Sequence, residues 1–414
     1  MSHYGDFQNE IYLQGLAGTV PAYPVEAGEL ERAGHEAMSD RTRGYVAGGA
    51  GSERTMAANL AAFDRWRLLP RMFRGVTSRD LSTSVCGTGL PAPVLLAPIG
   101  VLSIVHPDAE RAVARAAAGL GLPMVLSCAS STSMEEVRAE LGDAPGWFQL
   151  YWPNDRGLAR SLVQRAEAAG YGAVVVTLDT WHLGWRPRDL ATGYLPFLVG
   201  EGLANYLSDP VFRSGLDKPP EQDLPSAVLR WLALFADPAL TWADLAWLRA
   251  QTALPVLVKG VLHADDARAA LDAGAAGIVV SNHGGRQVDG AVAALDCLPA
   301  VLDAVHGRVP VLLDSGVRTG ADVVKALALG AAAVLVGRPY VHGLALGGES
   351  GVRHVLRCLL ADLDLTLALT GHRCLADLSQ DGVAPAPLVD RTWAGGWGTT
   401  AWRCSPPPEL GQVQ

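Results

Sequence analysis

Three stretches of the chain repeat one local design, and this repeat constrains the fold more than any other feature. Ala169–Thr177 reads AGYGAVVVT, Ala273–Ser281 reads AGAAGIVVS and Leu329–Gly337 reads LGAAAVLVG. Each follows a helical pattern (DRGLARSLVQRAEAAG, ADDARAALDAG, GADVVKALALG) and places a glycine where that helix must stop. Small residues then lead into a β-branched apolar run. A helix closed by glycine and followed by a buried strand is half of a βαβ unit. Five further runs fit the same role: APVLLAP from Ala92, LPMVLS from Leu122, WFQLY from Trp147, PVLVKG from Pro255 and PVLLDS from Pro310. Eight continuous apolar runs alternating with helix-sized connections suit a parallel sheet covered on both sides. The expected fold is α/β, a (β/α)8 TIM barrel. An open doubly wound sheet is the competitor, and no G-x-G-x-x-G follows the first strand to support it. The cluster AGGAGSERT from Ala47 lacks the lysine of a phosphate loop and reads as a turn.

The fourth run starts at Ala173 and the fifth only at Pro255. One helix in that interval, TWADLAWLRAQ, is the expected crossover, with Thr241 as N-cap. The rest is an insertion of lid type, at about 181–240, on the C-terminal mouth of the barrel. The expected organisation is an N-terminal helical segment over 1–90, the barrel over 91–378 and a C-terminal tail over 379–414.

Composition narrows the function classes. With 414 residues, 49% hydrophobic and 18% charged, the chain can bury a large core. A net charge of −9 disfavours nucleic acid and anionic membranes. No apolar run is long enough to cross a bilayer. The start, MSHYGDFQNE, has neither the basic nor the apolar region of a signal peptide. Cys86, Cys128, Cys297, Cys358, Cys374 and Cys404 are scattered without a C-x-x-C pair. That pattern points to free thiols in a cytoplasmic protein, with no metal expected.

Barrel enzymes carry their chemistry on the C-terminal ends of the strands. Here all eight ends are polar or glycine-rich: Pro98-Ile99-Gly100, Ser127, Gln149 with Tyr151, Thr177 with Asp179, Lys259, Ser281-Asn282-His283, Asp314, and Gly337-Arg338. Two loops look anion-binding. DSGVRTG after strand 7 offers Gly316, Arg318 and a helix start, and GRP after strand 8 offers Arg338. A phosphate-bearing cofactor or substrate follows. His283 can take a proton near neutral pH, and Arg286 carries a fork that matches a carboxylate. Lys259, ending an apolar strand, needs an anionic partner: a ligand that gains negative charge, such as a reduced flavin, or a buried aspartate such as Asp314.

Taken together, SNHGGRQ, LPVLVKG, DSGVRTGADVVKALALGA, VGRP, FQLY and TLDT resemble the FMN-dependent L-2-hydroxy acid oxidase and dehydrogenase family over nearly the whole chain. TLDTWHLGWRPRDL, NYLSDPVF and ALDCLP are most similar to its lactate 2-monooxygenase branch. The resemblance implies FMN as cofactor, a small 2-hydroxy acid and O2 as reactants, and a homo-oligomer, tetramer or octamer. It implies His283 as the base at the substrate C2, oriented by Asp179. Arg186 and Arg286 hold the carboxylate, with Tyr45 and Tyr151 beside it. Lys259 faces the flavin's pyrimidine end. Pro98, Ile99 and Gly100 line the ring, and Ser127, Gln149, Thr177 and Ser281 its polar edge. Asp314, Ser315, Gly316 and Arg318 hold the ribityl-phosphate arm, and Gly337 and Arg338 close the phosphate. Three positions depart from that branch. Ala129 and Ser130 imply a smaller pocket wall able to admit a larger acid, and His182 reads as a partly exposed loop histidine. Gln287 to Gly290 read only as a loop leading away from the site.

Overall fold

The computed structural model describes residues 3–386. The expected tail from residue 387 onward, with Cys404, lies outside them. Eight parallel strands close into a barrel. They are β1 (Val94–Leu96), β2 (Met124–Ser127), β3 (Gly146–Leu150), β4 (Val174–Thr177), β5 (Val256–Val261), β6 (Gly277–Val280), β7 (Val311–Leu313) and β8 (Ala333–Val336). Neighbours in sequence pair in turn, and β8 returns onto β1 with Leu335 opposite Leu95. All eight match the apolar runs. The glycines that end the three repeated helices, Gly170, Gly274 and Gly330, have φ of 89°, 83° and 111°. Only glycine takes that conformation without strain.

The barrel explains why its strands show no polar alternation. Val94, Leu96, Met124, Leu126, Val174, Val176, Ile278 and Val280 face the helical shell. Leu95, Val125, Trp147, Val175, Leu257, Val279, Leu312 and Leu335 face inward as a second core. Both faces are dry, so both are apolar. Val85 and Leu90 join the inner core from a hairpin, Thr83–Val85 with Thr88–Leu90. Thr88 accepts from the Trp147 indole at 2.9 Å, and Cys86 bonds the Ala276 carbonyl. Both contacts lie at strand starts, so the hairpin plugs the N-terminal end and leaves the opposite mouth for a ligand. The sequence predicts a helical segment over the first 90 residues. Four helices are there (Asp6–Leu16, Ala27–Ala37, Asp40–Ala47, Arg54–Asp64), but so are the hairpin and the strand Trp66–Leu68, which pairs with Val383–Pro385.

The insertion after β4 folds into short helices, the longest being Leu224–Leu234. Trp231 stacks between Phe197 and Phe235, each at 4.7 Å between ring centroids. Thr241 begins the crossover helix Trp242–Arg249 as expected, with the Asp244 carboxylate accepting from its backbone N–H at 2.8 Å. Among the described residues, no helix is long and apolar enough to cross a membrane.

Candidate active site

The pleat that points Val125, Trp147, Val175, Leu257, Val279 and Leu312 inward brings the residue two positions later to the same side. Those residues are Ser127, Gln149, Thr177, Lys259, Ser281 and Asp314, all buried. They form a polar ring on top of the apolar barrel core. Ser127 donates to Gln149 Oε1 at 3.0 Å, and Gln149 Nε2 donates to Thr177 at 3.0 Å. Lys259 Nζ donates to Ser281 Oγ at 2.8 Å and pairs with Asp314 Oδ2 at 2.9 Å. Burial disfavours the charged lysine, but Asp314 and Asp179 together hold its pKa above the ordinary value. The aspartate pair foreseen as one of two partners for Lys259 is therefore present, and the lysine also lines the cleft above.

That cleft lies at the C-terminal mouth of the barrel. Tyr45, Pro98, Ile99, Gly100, Tyr151, Arg186, Lys259, His283, Arg286, Asp314, Ser315, Gly316, Arg318, Gly337 and Arg338 line it. Ser127, Gln149, Thr177, Ser281 and Asp179 stand just behind that wall. Phe197 and Phe235 from the insertion complete the opposite side. Ala129 and Ser130 do not belong to it. Ser130 Oγ is turned to the Thr132 carbonyl and accepts from Asn205, so the expected thinning of the pocket wall is not built by these two residues. His182 is exposed, as expected.

His283 sits on the strained turn after β6 with φ of 58°, followed by Gly284 and Gly285 at 63° and 77°. A non-glycine residue there costs about 1–3 kcal/mol, which its surroundings must offset. They do so with several hydrogen bonds. The His283 N–H donates to Ser281 Oγ at 3.0 Å, and Gly284 N donates to Ser315 Oγ at 3.0 Å. Asn282 and Asn59 exchange side-chain hydrogen bonds of 2.7 and 2.8 Å. The imidazole is held from both ends. Nδ1 is 2.8 Å from Asp179 Oδ1, and Nε2 is 3.4 Å from the Tyr151 hydroxyl. Burial lowers the His283 pKa below the ordinary value; Asp179 opposes that, while Lys259 and Arg186 add to it. Burial would raise Asp179, but His283 and Lys259 hold it below the usual carboxylate range. The result is a neutral imidazole with an anionic partner, the arrangement of a general base.

Besides Arg318, three guanidiniums line the same cleft. Arg186 is 6% exposed and donates to the Arg286 carbonyl (3.0 Å) and Gln287 Oε1 (2.7 Å). Arg286 lies over the Tyr45 ring at 5.1 Å, and its Nη1 donates to the carbonyls of Tyr45 and Gly48. Arg338 donates to the carbonyls of Val46, Gly284 and Gly48. Burial, then mutual repulsion, lowers Arg186 to about 10 and Arg338 to about 9. Among the described residues, none of the three forms an ion pair, whereas Arg318 pairs with Glu31 at 3.1 Å. Arg186 is buried and Arg286 and Arg338 are half-buried, and cations so withdrawn from water without carboxylates need anions from elsewhere. A Cβ on Gly337 would meet only Ile99 and Ala97 side chains, so the backbone there is open to a close-lying group. A phosphate at Arg338 and Gly337, a polar ring edge at Lys259, and a substrate carboxylate at Arg186 and Arg286 fit this donor set.

Gln287 corrects the reading of its segment as a loop leading away. Its Nε2 donates to the carbonyls of Asp179 (2.7 Å) and His182 (2.9 Å) while its Oε1 receives Arg186. Asp289 accepts from the N–H groups of Ser52, Arg54 and Thr55 and so starts the helix Arg54–Asp64. That helix carries Asn59. The turn AGGAGSERT is docked on the site as well, through Ala50 N to the Gly285 carbonyl.

Fold and donor set together define a class, the FMN-dependent oxidoreductases built on (β/α)8 barrels. Residues 34–385 match the model of the FMN-dependent dehydrogenase family, and the chain belongs to that family, with FMN as its cofactor. It is 45% identical to an FMN-dependent alpha-hydroxy acid dehydrogenase of Penicillium citrinum, over 92% of this chain and 95% of that one. It is 45% identical to an L-lactate oxidase of a Nostoc species, over 87% of this chain and 98% of the relative. A crystal structure of mandelate oxidase superposes with a TM-score of 0.77 at 38% identity, covering 88% of this chain and 98% of that one.

Proposed function

We propose that the chain oxidises a small L-2-hydroxy acid at C2, and that it acts as a lactate 2-monooxygenase, turning L-lactate and O2 into acetate, CO2 and water. One observation carries the reading: an aspartate-anchored neutral imidazole shares a cleft with buried and half-buried guanidiniums that have no carboxylate of their own. When bound, FMN supplies the acceptor for two electrons and their later transfer to O2. Arg186 and Arg286 clamp the substrate carboxylate, and the Tyr45 and Tyr151 rings flank it. This fixes C2 beside His283 Nε2, which takes the proton released as the alcohol carbon becomes a keto carbon. Asp179 steadies the imidazolium so formed. Lys259 would balance negative charge on the reduced flavin, and Gln149, Ser127, Thr177 and Ser281 would hold the polar edge of its ring. Gly316, Ser315, Arg318 and Arg338 would hold its phosphate arm. Phe197 and Phe235 exclude water and retain the keto acid, which favours cleavage to acetate over release.

A second reading has a specific support. The aromatic side chains of Phe197, Phe235 and Tyr151 on the cleft wall also suit a larger, aromatic 2-hydroxy acid, released as its 2-oxo acid with H2O2 if O2 is the oxidant. The test is product analysis under air. Acetate and CO2 with little peroxide support the monooxygenase; stoichiometric pyruvate and H2O2 overturn it in favour of an oxidase. Trp181, Trp185, Leu198 and Val199 on the insertion are exposed. Their exposure supports a homo-oligomer, tetramer or octamer, which light scattering checks.

A further inference from the structure

Behind the phosphate loop, away from the cleft, the structure assembles a second set of donors. Glu31 and His35 stand four residues apart on the helix Ala27–Ala37 and so share a face. His342 faces them from the first turns of the helix Arg338–Leu369. Gly34 makes this approach possible: a Cβ there would lie 2.6 Å from His342 Cβ. The two imidazoles meet edge to face with centroids 4.9 Å apart. One ligand atom from each of the three residues lies within 4.8 Å of the others.

These groups are not satisfied by the protein. His342 is 2% exposed, yet its Nε2 has no hydrogen-bond partner, and neither has His35 Nε2. Burying such nitrogens without partners is costly. Glu31 Oε2 accepts from Arg318 at 3.1 Å, which leaves Oε1. Burial keeps both histidines below their ordinary pKa, His342 down to about 3, so both are in the neutral form that binds metals. Burial pushes the Glu31 carboxyl up, but the Arg318 guanidinium beside it holds it below the usual carboxylate range. A second cavity, lined by Leu30, Arg318, Pro339 and His342, reaches the site from the His342 side and gives a water ligand access there.

We propose that Glu31, His35 and His342 form a binding site for a divalent transition cation of the zinc type, with a water from the adjoining cavity as fourth ligand. Two neutral imidazoles and a carboxylate are a donor set for such a cation, and the remaining position stays open to solvent. A tetrahedral site holds its donor atoms roughly 3.3 Å apart, so loading draws these atoms closer than the 4.8 Å within which they now lie.

The test is equilibrium dialysis of chelator-treated, FMN-loaded protein against Zn2+, with metal per chain measured by atomic emission. The expected result is one tightly held zinc per chain. Binding should weaken at least about tenfold in His342→Leu, and likewise in His35→Gln, whose partly exposed position on the helix surface leaves folding and FMN content intact. Zn K-edge absorption of the loaded protein should show imidazole scattering. Zinc uptake in wild type no greater than in His35→Gln, or a spectrum without imidazole, overturns the site.

Discussion

Asp179→Asn isolates the charge that supports the proposed base. The substitution keeps the shape and can still present an oxygen to His283 Nδ1, now 2.8 Å from Asp179 Oδ1. What it removes is the one influence that raises the His283 pKa; burial, Lys259 and Arg186 all lower it. Two consequences have definite signs. The imidazolium formed as the base takes its proton loses a charge-assisted hydrogen bond worth about 1.5–3 kcal/mol, so flavin reduction should slow about 10- to 150-fold. The acid limb of kcat/KM, where His283 becomes protonated and inactive, already lies below the ordinary histidine range and should move to still lower pH. Anaerobic stopped-flow reduction across a pH series measures both. An unchanged rate constant, or a limb that moves upward, would refute the assignment of Asp179 and His283 as an acid-supported base.

His283→Ala should abolish flavin reduction while FMN remains bound, and ordinary turnover would sink the base assignment. Gln287→Ala removes four hydrogen bonds, among them those that fix Arg186 and the Asp179 backbone. KM for the hydroxy acid should rise about tenfold with FMN content unchanged, and an unaltered KM contradicts the positioning role. Lys259→Met leaves Asp314 buried without its cation, so urea denaturation should show a loss of about 3–5 kcal/mol; an unshifted midpoint would mean that the pair is not a buried one in solution. Phe235→Ala opens the insertion wall and should shift products from acetate toward pyruvate and peroxide, and an unchanged product ratio removes the retention argument.

The barrel was legible because each strand is dry on both faces and so appears as an unbroken apolar run. The polar ring was legible for a related reason: it is the residue at which each run ends, two positions past an inward-facing apolar one. His283 and Arg286 were legible from a glycine pair that lets both turn toward one ligand. The pairing of Lys259 was open in the sequence because a ligand and Asp314 both answer the same electrostatic need. Other parts depend on contacts between distant segments. Asn59 and Asn282 lie 223 positions apart, and nothing local marks either as the other's partner. Gln287 acts through carbonyls, which any residue supplies. The hairpin around Cys86 is too short for a period-2 pattern to show. Glu31 and His35 did carry a signal, their spacing of four on a helix, but His342 joins them only through packing at Gly34.

The central claim is that this cleft removes two electrons from C2 of an L-2-hydroxy acid. Anaerobic titration of the FMN-loaded protein with L-lactate, D-lactate and larger 2-hydroxy acids, followed through the flavin's visible absorbance, tests it most directly. L-lactate should bleach the flavin stoichiometrically, the D-enantiomer should not bleach it, and no acid should do so in the His283→Ala protein. A flavin that stays oxidised with every L-2-hydroxy acid offered would contradict it.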